Sequence, residues 1–430
     1  MRRVHAMQFV RPAAVFPSGT PLATDTPRVT FGRFVMHRVA LRMLLVAAIV
    51  GCRDAGPTDP RTAALNLPGL SIPYAAVDLG TLGGGSSVAT DINDDGQIVG
   101  SSATASGALH AFRWQDGVMT DLGSLGGDTS EATDINAAGQ VAGQSIDASG
   151  ARRAFLWSDG VMQDLGPAGR FLPVRLNARG QVAWSTRMLD GTMHALLWSD
   201  GVAQDLGTLG GSTEARAIND RGQVVGSSNG HAFLWDGGNM QDLGSLGGSA
   251  WAADINNQGQ IAGASYAADR SLHALLWDNG QMTDLGSVAG NPNAYAVAIN
   301  DLTQVAGVSV SQFNYDRGKP FRWQAGVLLP LNPNDDLRAM DEHISGMNQL
   351  GVVAGTRTLS RYHVAVVSEN GARWELPALA DSGTTASAIN RGGDVVGLSG
   401  SDPNTWHAVL WRRVSSGVVA ALPQAPPIGN

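Results

Sequence analysis

The chain has 430 residues, of which only 15% are charged, with 37 acidic against 29 basic side chains and a formal net charge of -8 at pH 7. Nucleic-acid binding depends on neutralising phosphates with lysine and arginine. This balance, together with the lack of a basic run beyond the N-terminal segment, therefore argues against a nucleic-acid partner. The single cysteine, Cys52, excludes an intrachain disulfide and a cysteine-based metal site.

The first 73 residues contain no repeat and divide into three segments. Residues 1–35 have no apolar run and are interpreted as a doubtful upstream extension. Residues 36–51 combine a basic start with an apolar stretch, 43–50, that is too short to span a bilayer, as in a signal peptide. Residues 52–73 are rich in proline and small side chains and predict a tether.

The end of the apolar stretch, Ile49-Val50-Gly51-Cys52, resembles the lipobox of bacterial lipoprotein signal peptides. The resemblance implies cleavage before Cys52 and lipidation of that cysteine, and two or more acyl chains give stable anchoring. It predicts an exported, lipid-anchored protein of the cell envelope. The alternative is an ordinary secretory signal followed by a chance cysteine, which would leave the protein secreted.

An internal repeat of roughly 42 residues fills the region 74–423, and residues 424–430 form a short tail. An asparagine marks each copy: Asn93, Asn136, Asn177, Asn219, Asn256, Asn300, Asn348 and Asn390. Alanine stands four residues before this asparagine in most copies, and glycine recurs three and seven residues after it. So many matches in register indicate a repeat architecture.

Each copy predicts four short antiparallel strands. The Asn-x-x-Gly segment indicates a type I turn with a glycine bulge, and pairs such as Asp116-Gly117 indicate a second tight hairpin. The 55 glycines of the chain suit this number of turns. One such sheet cannot bury both of its faces alone, so the copies must pack against each other.

The sequence therefore predicts an all-β fold, a β-propeller of about eight four-stranded antiparallel blades, because a closed ring of sheets limits exposed edges. Tryptophan recurs in the third strand, where it would fill the space between diverging blades: Trp114, Trp157, Trp198, Trp235, Trp277, Trp323 and Trp411. Seven blades are the alternative, because the third copy has Pro173 and Trp184 in place of its alanine and a glycine. Segments 74–80 and 417–422 both resemble a fourth strand and compete to close the ring.

The triplets His110-Ala111-Phe112 and His231-Ala232-Phe233 resemble the signature of bacterial extracellular HAF-repeat proteins. The segments D-L-G-S-L-G-G and D-I-N-x-x-G-Q match the same repeats. This resemblance implies an exported location, in agreement with the signal peptide. It implies no biochemical activity and no functional residues.

Two sets of side chains are candidates for metal binding. Asp91, Asn93 and Asp95 match the first half of a calcium loop, but Ser102 replaces the closing glutamate, so the candidate is weak and no cofactor is expected. A histidine precedes the third strand in five copies: His110, His194, His231, His273 and His407. Equivalent positions on different blades are too far apart for one zinc ion, so a turn or packing role is predicted.

Four tryptophans outside the repeated slot, Trp184, Trp251, Trp374 and Trp406, are candidates for exposed surfaces that stack on sugars. Asp91, Asp134 and Asp254 recur on the innermost strand, where a strand-end role is favoured over catalysis.

The expected function is a non-catalytic cell-envelope binding or scaffold lipoprotein that recognises an unknown protein or glycan through propeller loops. The alternative is an envelope enzyme that acts on glycans with acidic residues at the propeller channel.

Overall fold

The computed structural model describes residues 73–169, 173–311, 318–331, 341–359, 362–380 and 382–414. Within them the chain forms 32 β-strands and one 3-10 helix, Pro403–Thr405. The extension, the signal peptide, Cys52, nearly all of the tether and the tail lie outside the described residues.

The strands pair into eight antiparallel meanders of four strands, called blades 1 to 8. The first strand, β1 (Tyr74–Asp78), belongs to blade 8. Blade 1 contains β2 (Gly83–Ile92), β3 (Ile98–Thr104), β4 (Leu109–Gln115) and β5 (Val118–Asp121). Blade 2 contains β6 (Gly126–Ile135), β7 (Val141–Asp147), β8 (Arg152–Ser158) and β9 (Val161–Pro167). Blade 3 contains β10 (Arg175–Leu176), β11 (Val182–Arg187), β12 (Met193–Ser199) and β13 (Val202–Asp205). Blade 4 contains β14 (Thr213–Ile218), β15 (Val224–Ser228), β16 (His231–Asp236) and β17 (Asn239–Asp242).

The second half of the chain repeats this arrangement. Blade 5 contains β18 (Gly247–Ile255), β19 (Ile261–Ala267), β20 (Leu272–Asp278) and β21 (Gln281–Asp284). Blade 6 contains β22 (Asn293–Ile299), β23 (Val305–Val310), β24 (Lys319–Gln324) and β25 (Val327–Pro330). Blade 7 contains β26 (Asp341–Met347), β27 (Val353–Thr358), β28 (His363–Glu369) and β29 (Ala372–Glu375). Blade 8 contains β30 (Gly383–Ile389), β31 (Val395–Gly400), β32 (His407–Arg413) and β1.

The ring is closed by the N-terminal strand. β1 runs antiparallel to β32, with Tyr74 opposite Arg413 and Asp78 opposite Val409. Of the two competing segments, 74–80 therefore supplies the outer strand of the last blade, while 417–422 lies outside the described residues. The prediction of eight blades is confirmed.

The predicted turns are present. Gly96 donates its N–H to the carbonyl oxygen of Asn93 at 3.1 Å and has a φ of 75°, the left-handed value that glycine adopts without strain. The second hairpin has left-handed φ values of 50° and 88° at Asp116 and Gly117, as a type I′ turn requires. Thr303 is the one residue that replaces glycine in the first turn, and it keeps a φ of 57°.

The core lies between blades. Eight apolar clusters occur among the described residues, and each contains side chains from two adjacent blades, including a cluster that joins blade 8 to blade 1. The repeated tryptophans belong to these clusters or pack against them, and Trp411 is fully buried. The packing role predicted for the tryptophan slot is confirmed, and each blade depends on both neighbours for its apolar contacts.

Blade 3 is irregular for a steric reason. In blade 4 a β-bulge between Ala215 and Ala217 brings the Glu214 carbonyl so close to Gly226 that a Cβ at this glycine would collide with it. The equivalent residue in blade 3 is Trp184, which cannot accept that approach, and its inner strand β10 has only two residues. The Trp184 ring is fully buried instead and donates Nε1–H to the Pro167 carbonyl at 2.9 Å.

Candidate functional site

Each repeated asparagine links its own blade to the next. Its Nδ2 donates to the main-chain oxygen of the asparagine in the following blade, at 3.0 to 3.3 Å in all eight copies. Asn390 donates to the Asn93 oxygen and so completes a ring of hydrogen bonds around the axis. The sequence predicted only a turn role for this residue. Its position in the ring shows that the asparagine also fixes the contact between neighbouring blades.

The glutamine that follows the turn extends this contact. In six copies the same Nδ2 also donates to the Oε1 of that glutamine. A Cβ at Gly139 would lie 2.9 Å from Gln97 Oε1 of the preceding blade, so glycine is needed for space as well as for its φ. Where Thr303 replaces this glycine, its Oγ1 donates to Gln260 Oε1 of the preceding blade at 2.8 Å.

The five repeated histidines pair with aspartates of the outermost strand. In each case Nδ1 lies 2.6 to 2.9 Å from an aspartate Oδ2: His110 with Asp121, His194 with Asp205, His231 with Asp242, His273 with Asp284, and His407 with Asp78. In blade 2, Arg153 and Asp164 form the equivalent ion pair at 2.8 Å. These pairs tie the third strand to the fourth, whereas the sequence had predicted a turn or packing role for these histidines. Because they are solvent-exposed, each adds little stability.

Two of the three calcium candidates have protein partners. Asp91 Oδ2 accepts the Ile135 N–H at 3.0 Å, and Asn93 Oδ1 accepts the Gln97 N–H at 2.9 Å. Asp95 is exposed on the turn. Over the part of the chain that the structure describes, no group of three or more histidine, cysteine, aspartate or glutamate side chains could hold a metal ion.

The three recurring inner-strand aspartates also bridge blades. Each Oδ2 accepts a main-chain N–H from the inner strand of the next blade at 2.9 to 3.0 Å: Asp91 from Ile135, Asp134 from Leu176, and Asp254 from Ile299. This is the strand-end role that the sequence favoured.

Burial raises the pKa of Asp91, Asp134 and Asp254 above the ordinary aspartate value. For Asp91, the charge of Asp134 and a hydrogen bond between the two side chains raise the pKa further. The positive charge of Arg175 opposes the rise in the pKa of both Asp134 and Asp254. The Asp91 carboxyl group therefore keeps its proton to a higher pH than an isolated aspartate does.

A polar cavity of about 350 Å³ lies among the inner strands of blades 2 to 7 and is called the channel cavity. Its charged lining residues are Asp134, Arg175, Arg216 and Asp254, beside apolar and small residues that include Ala298. Arg175 Nε donates to the Arg216 carbonyl at 3.1 Å. Two acidic and two basic side chains therefore line a space large enough for a small ligand.

Sequence analysis missed both arginines of the channel cavity. Arg175 stands two residues before its asparagine, where Asp91 and Asp134 stand in the first two copies. Arg216 stands three residues before its asparagine, where the first copy has Thr90. Both arginines differ from the residues at the same positions of other copies, and this difference is visible only when the copies are aligned and compared position by position.

The four tryptophans outside the repeated slot lie in different blades, namely 3, 5, 7 and 8. Trp184 is fully buried and is not a stacking surface. Trp251 packs against Tyr266, with ring centroids 6.2 Å apart and a tilt of 58°. Trp406, with Tyr362, lines a crevice of about 410 Å³ at the junction of blades 7 and 8.

The strand pairing, the ring of asparagines and the clusters between blades define the described chain as an eight-bladed β-propeller. Within the described ranges, no helix has the length and apolar character needed to cross a membrane.

No family model matches the sequence, and no curated protein matches it. Among solved structures, the chain is similar to the β-propeller domain of the Trilobed protease from Pyrococcus furiosus, with a TM-score of 0.45 and 9% identity over 66% of this chain and 95% of that one. It is also similar to TolB from Acinetobacter baumannii, with a TM-score of 0.34 and 12% identity over 66% and 79%. A prolyl endopeptidase structure has a TM-score of 0.46 and 9% identity over 75% of this chain and 47% of that one. These similarities concern the fold alone.

Proposed function

We propose that this protein is a non-catalytic binding or scaffold module of the cell envelope, which recognises a protein or glycan through its channel cavity and the loops around it. One observation carries the proposal. The repeated polar side chains are used in hydrogen bonds within the propeller, whereas the two arginines of the channel cavity depart from the repeat. A site formed by residues that differ from the repeat is asymmetric, as recognition of a single ligand requires.

Binding is tested on the complete chain by calorimetry with a panel of glycans and envelope proteins, with and without calcium. We expect at least one saturable ligand whose binding is lost in Arg175→Ala, because this side chain is exposed in the channel cavity. Arg179→Ala is the matched control, since Arg179 is exposed in the same blade but does not line the cavity. Equal losses in both variants would show that the cavity is not the binding site.

Anchoring through Cys52 is the second part of the proposal. It is supported by the lipobox-like sequence Ile49-Val50-Gly51-Cys52 and by the proline-rich composition of residues 52–73. The resemblance to HAF-repeat proteins agrees with export and rests on sequence alone. Labelled palmitate should be incorporated into the wild-type chain in a bacterial host and not into Cys52→Ser. Incorporation into neither, with the protein in the medium, would favour the secreted alternative.

The alternative function, an envelope enzyme acting on glycans, is favoured by the carboxyl groups of Asp91 and Asp134, whose pKa values are raised by burial and of which Asp134 lines the channel cavity. A carboxyl group with a raised pKa can act as a general acid beside an ionised partner. The same binding panel distinguishes the two functions, because an enzyme would release a shortened glycan over time. Product release that is abolished in Asp91→Asn and Asp134→Asn, with folding intact, would replace the binding proposal.

A further inference from the structure

Arg216 lines the channel cavity and makes only a long ion pair among the described residues. Arg216 Nε is buried and has no hydrogen-bond partner among the described residues. Its terminal nitrogen Nη2 lies 4.0 Å from Oε2 of Glu214. The Arg216 side chain as a whole is 42% exposed and lines the channel cavity, so its terminal nitrogens are open to a ligand there. An anionic oxygen in the cavity would accept charge-assisted hydrogen bonds from them.

Arg175 differs from Arg216 in this respect. Its Nε donates to the Arg216 carbonyl, and its charge acts on both Asp134 and Asp254. The charge of Arg175 therefore already acts on two carboxyl groups of the cavity, whereas the ion-pair partner of Arg216, Glu214, is not among the residues that line it. A bound anion is therefore expected beside Arg216, and a single negative charge is sufficient to balance it.

The acidic side chains of the cavity can accept further hydrogen bonds. Asp254 accepts the Ile255 N–H with one oxygen and the Ile299 N–H with the other, and each oxygen keeps a second lone pair. Asp134 likewise accepts the Leu176 N–H with Oδ2. Ligand hydroxyl groups are donors of the correct polarity for these oxygens, whereas a second anionic group beside them would be repelled.

We propose that the channel cavity binds a carboxylated sugar, a hexuronic acid residue of an acidic glycan. The carboxylate accepts hydrogen bonds from Arg216, and the sugar hydroxyls donate to Asp134 and Asp254. The cavity volume of about 350 Å³ suits one or two sugar rings. This inference rests on the proposed function and specifies its ligand class.

The test is calorimetry on the complete chain with glucuronate and galacturonate, and with glucose and galactose as neutral counterparts. Both uronates should bind, and the neutral sugars should bind about tenfold more weakly or worse, because they lack the charge-assisted hydrogen bond. Arg216→Gln should weaken uronate binding by at least about tenfold and leave neutral-sugar binding unchanged. Arg179→Gln, which removes an exposed charge outside the cavity, should change neither.

A change in the ligand tests the same contact without altering the protein. The methyl ester of glucuronate keeps the ring and the hydroxyls but removes the charge, so it should bind the wild-type chain as weakly as glucose does. Equal binding of ester and acid, or of neutral and acidic sugars, would overturn the uronate inference while leaving a glycan-binding function intact. Preferential binding of an amino acid such as glutamate, or the absence of uronate binding by the folded chain, would also overturn it. A failure of the whole wider panel of glycans and envelope proteins would count against the proposed function itself.

Discussion

Removal of one side chain from the asparagine ring should be costly, and Asn219 in blade 4 is the best place to measure the effect. Asn219 is only 4% exposed and makes four hydrogen bonds: Nδ2 donates to the Asn256 oxygen and to Gln223 Oε1, and Oδ1 accepts the N–H groups of Arg221 and Gln223. At about 1 kcal/mol of net stability for each bond, Asn219→Ala would lose about 4 kcal/mol. The Asn256 oxygen keeps the Gly259 N–H as a donor, so we expect a loss of about 3 kcal/mol.

Urea unfolding followed by tryptophan fluorescence measures this loss as a shift in the transition midpoint. Asn239→Ala is the matched control, because Asn239 is an exposed asparagine of the same blade, and it should change stability by less than about 0.5 kcal/mol. Asn219→Asp should be as harmful as alanine, because its carboxylate would face the Asn256 oxygen with no hydrogen to donate. If Asn219→Ala and Asn239→Ala unfold at the same urea concentration, the ring does not stabilise the propeller and the reasoning fails.

Three further substitutions test other parts of the fold. Gly226→Ala should destabilise the protein by about 2 kcal/mol, because the new Cβ collides with the Glu214 carbonyl. Trp184→Gly restores the repeated glycine but empties a fully buried site, so a loss of about 4 kcal/mol is expected. Burial and the charge of Asp134 raise the pKa of Asp91 in the folded state, so the ionised carboxyl lowers stability as pH rises above the ordinary aspartate pKa of about 4. Asp91→Asn should therefore be neutral below pH 4 and stabilising at pH 7.

Each of these substitutions has a control in the same chain. Gly346→Ala meets its nearest atom at 3.8 Å and should be tolerated, and Trp374→Gly empties a half-buried site and should cost less than Trp184→Gly. Asp95→Asn, on an exposed turn, should have the same effect at both pH values. Urea midpoints at pH 3.5 and 7.5 provide the measurements. The structural explanation would be contradicted if Trp184→Gly made the protein more stable, or if the effect of Asp91→Asn on stability did not depend on pH.

The sequence predicted most of the fold because the signals that define a blade are local. Turn residues such as Asp116 and Gly117 set hairpins by their own backbone preferences, and the repeated tryptophans mark one position in every copy. The strand that closes the ring could not be chosen, because 74–80 and 417–422 share the same fourth-strand pattern. Local sequence therefore cannot show which of the two segments closes the ring. The pairing of Tyr74 with Arg413 identifies segment 74–80 as the closing strand.

Interactions between blades were harder to predict from sequence. A turn role alone accounts for asparagine followed by glycine, so nothing required the bond from Asn93 to the Asn136 oxygen, 43 residues away. Within a blade, by contrast, the pairing of His110 with Asp121 left a usable signal, since an aspartate follows the histidine by 11 residues in four copies. In the last copy the partner is Asp78 at the other end of the repeats, which hides the pattern.

The irregular third copy, blade 3, also makes the channel cavity asymmetric. A ring of identical blades would have an axis lined by identical side chains, and such a symmetric channel cannot position a single asymmetric ligand. Blade 3 breaks the symmetry: Trp184 shortens the inner strand, and Arg175 replaces the aspartate of the first two copies beside Arg216 of blade 4. Local departures from a repeat are expected where function competes with the regular structure. The third copy, whose irregular sequence left seven blades as an alternative, therefore supplies the channel cavity with a cation, Arg175. Comparing the copies position by position in other repeat proteins would likewise point to their binding sites.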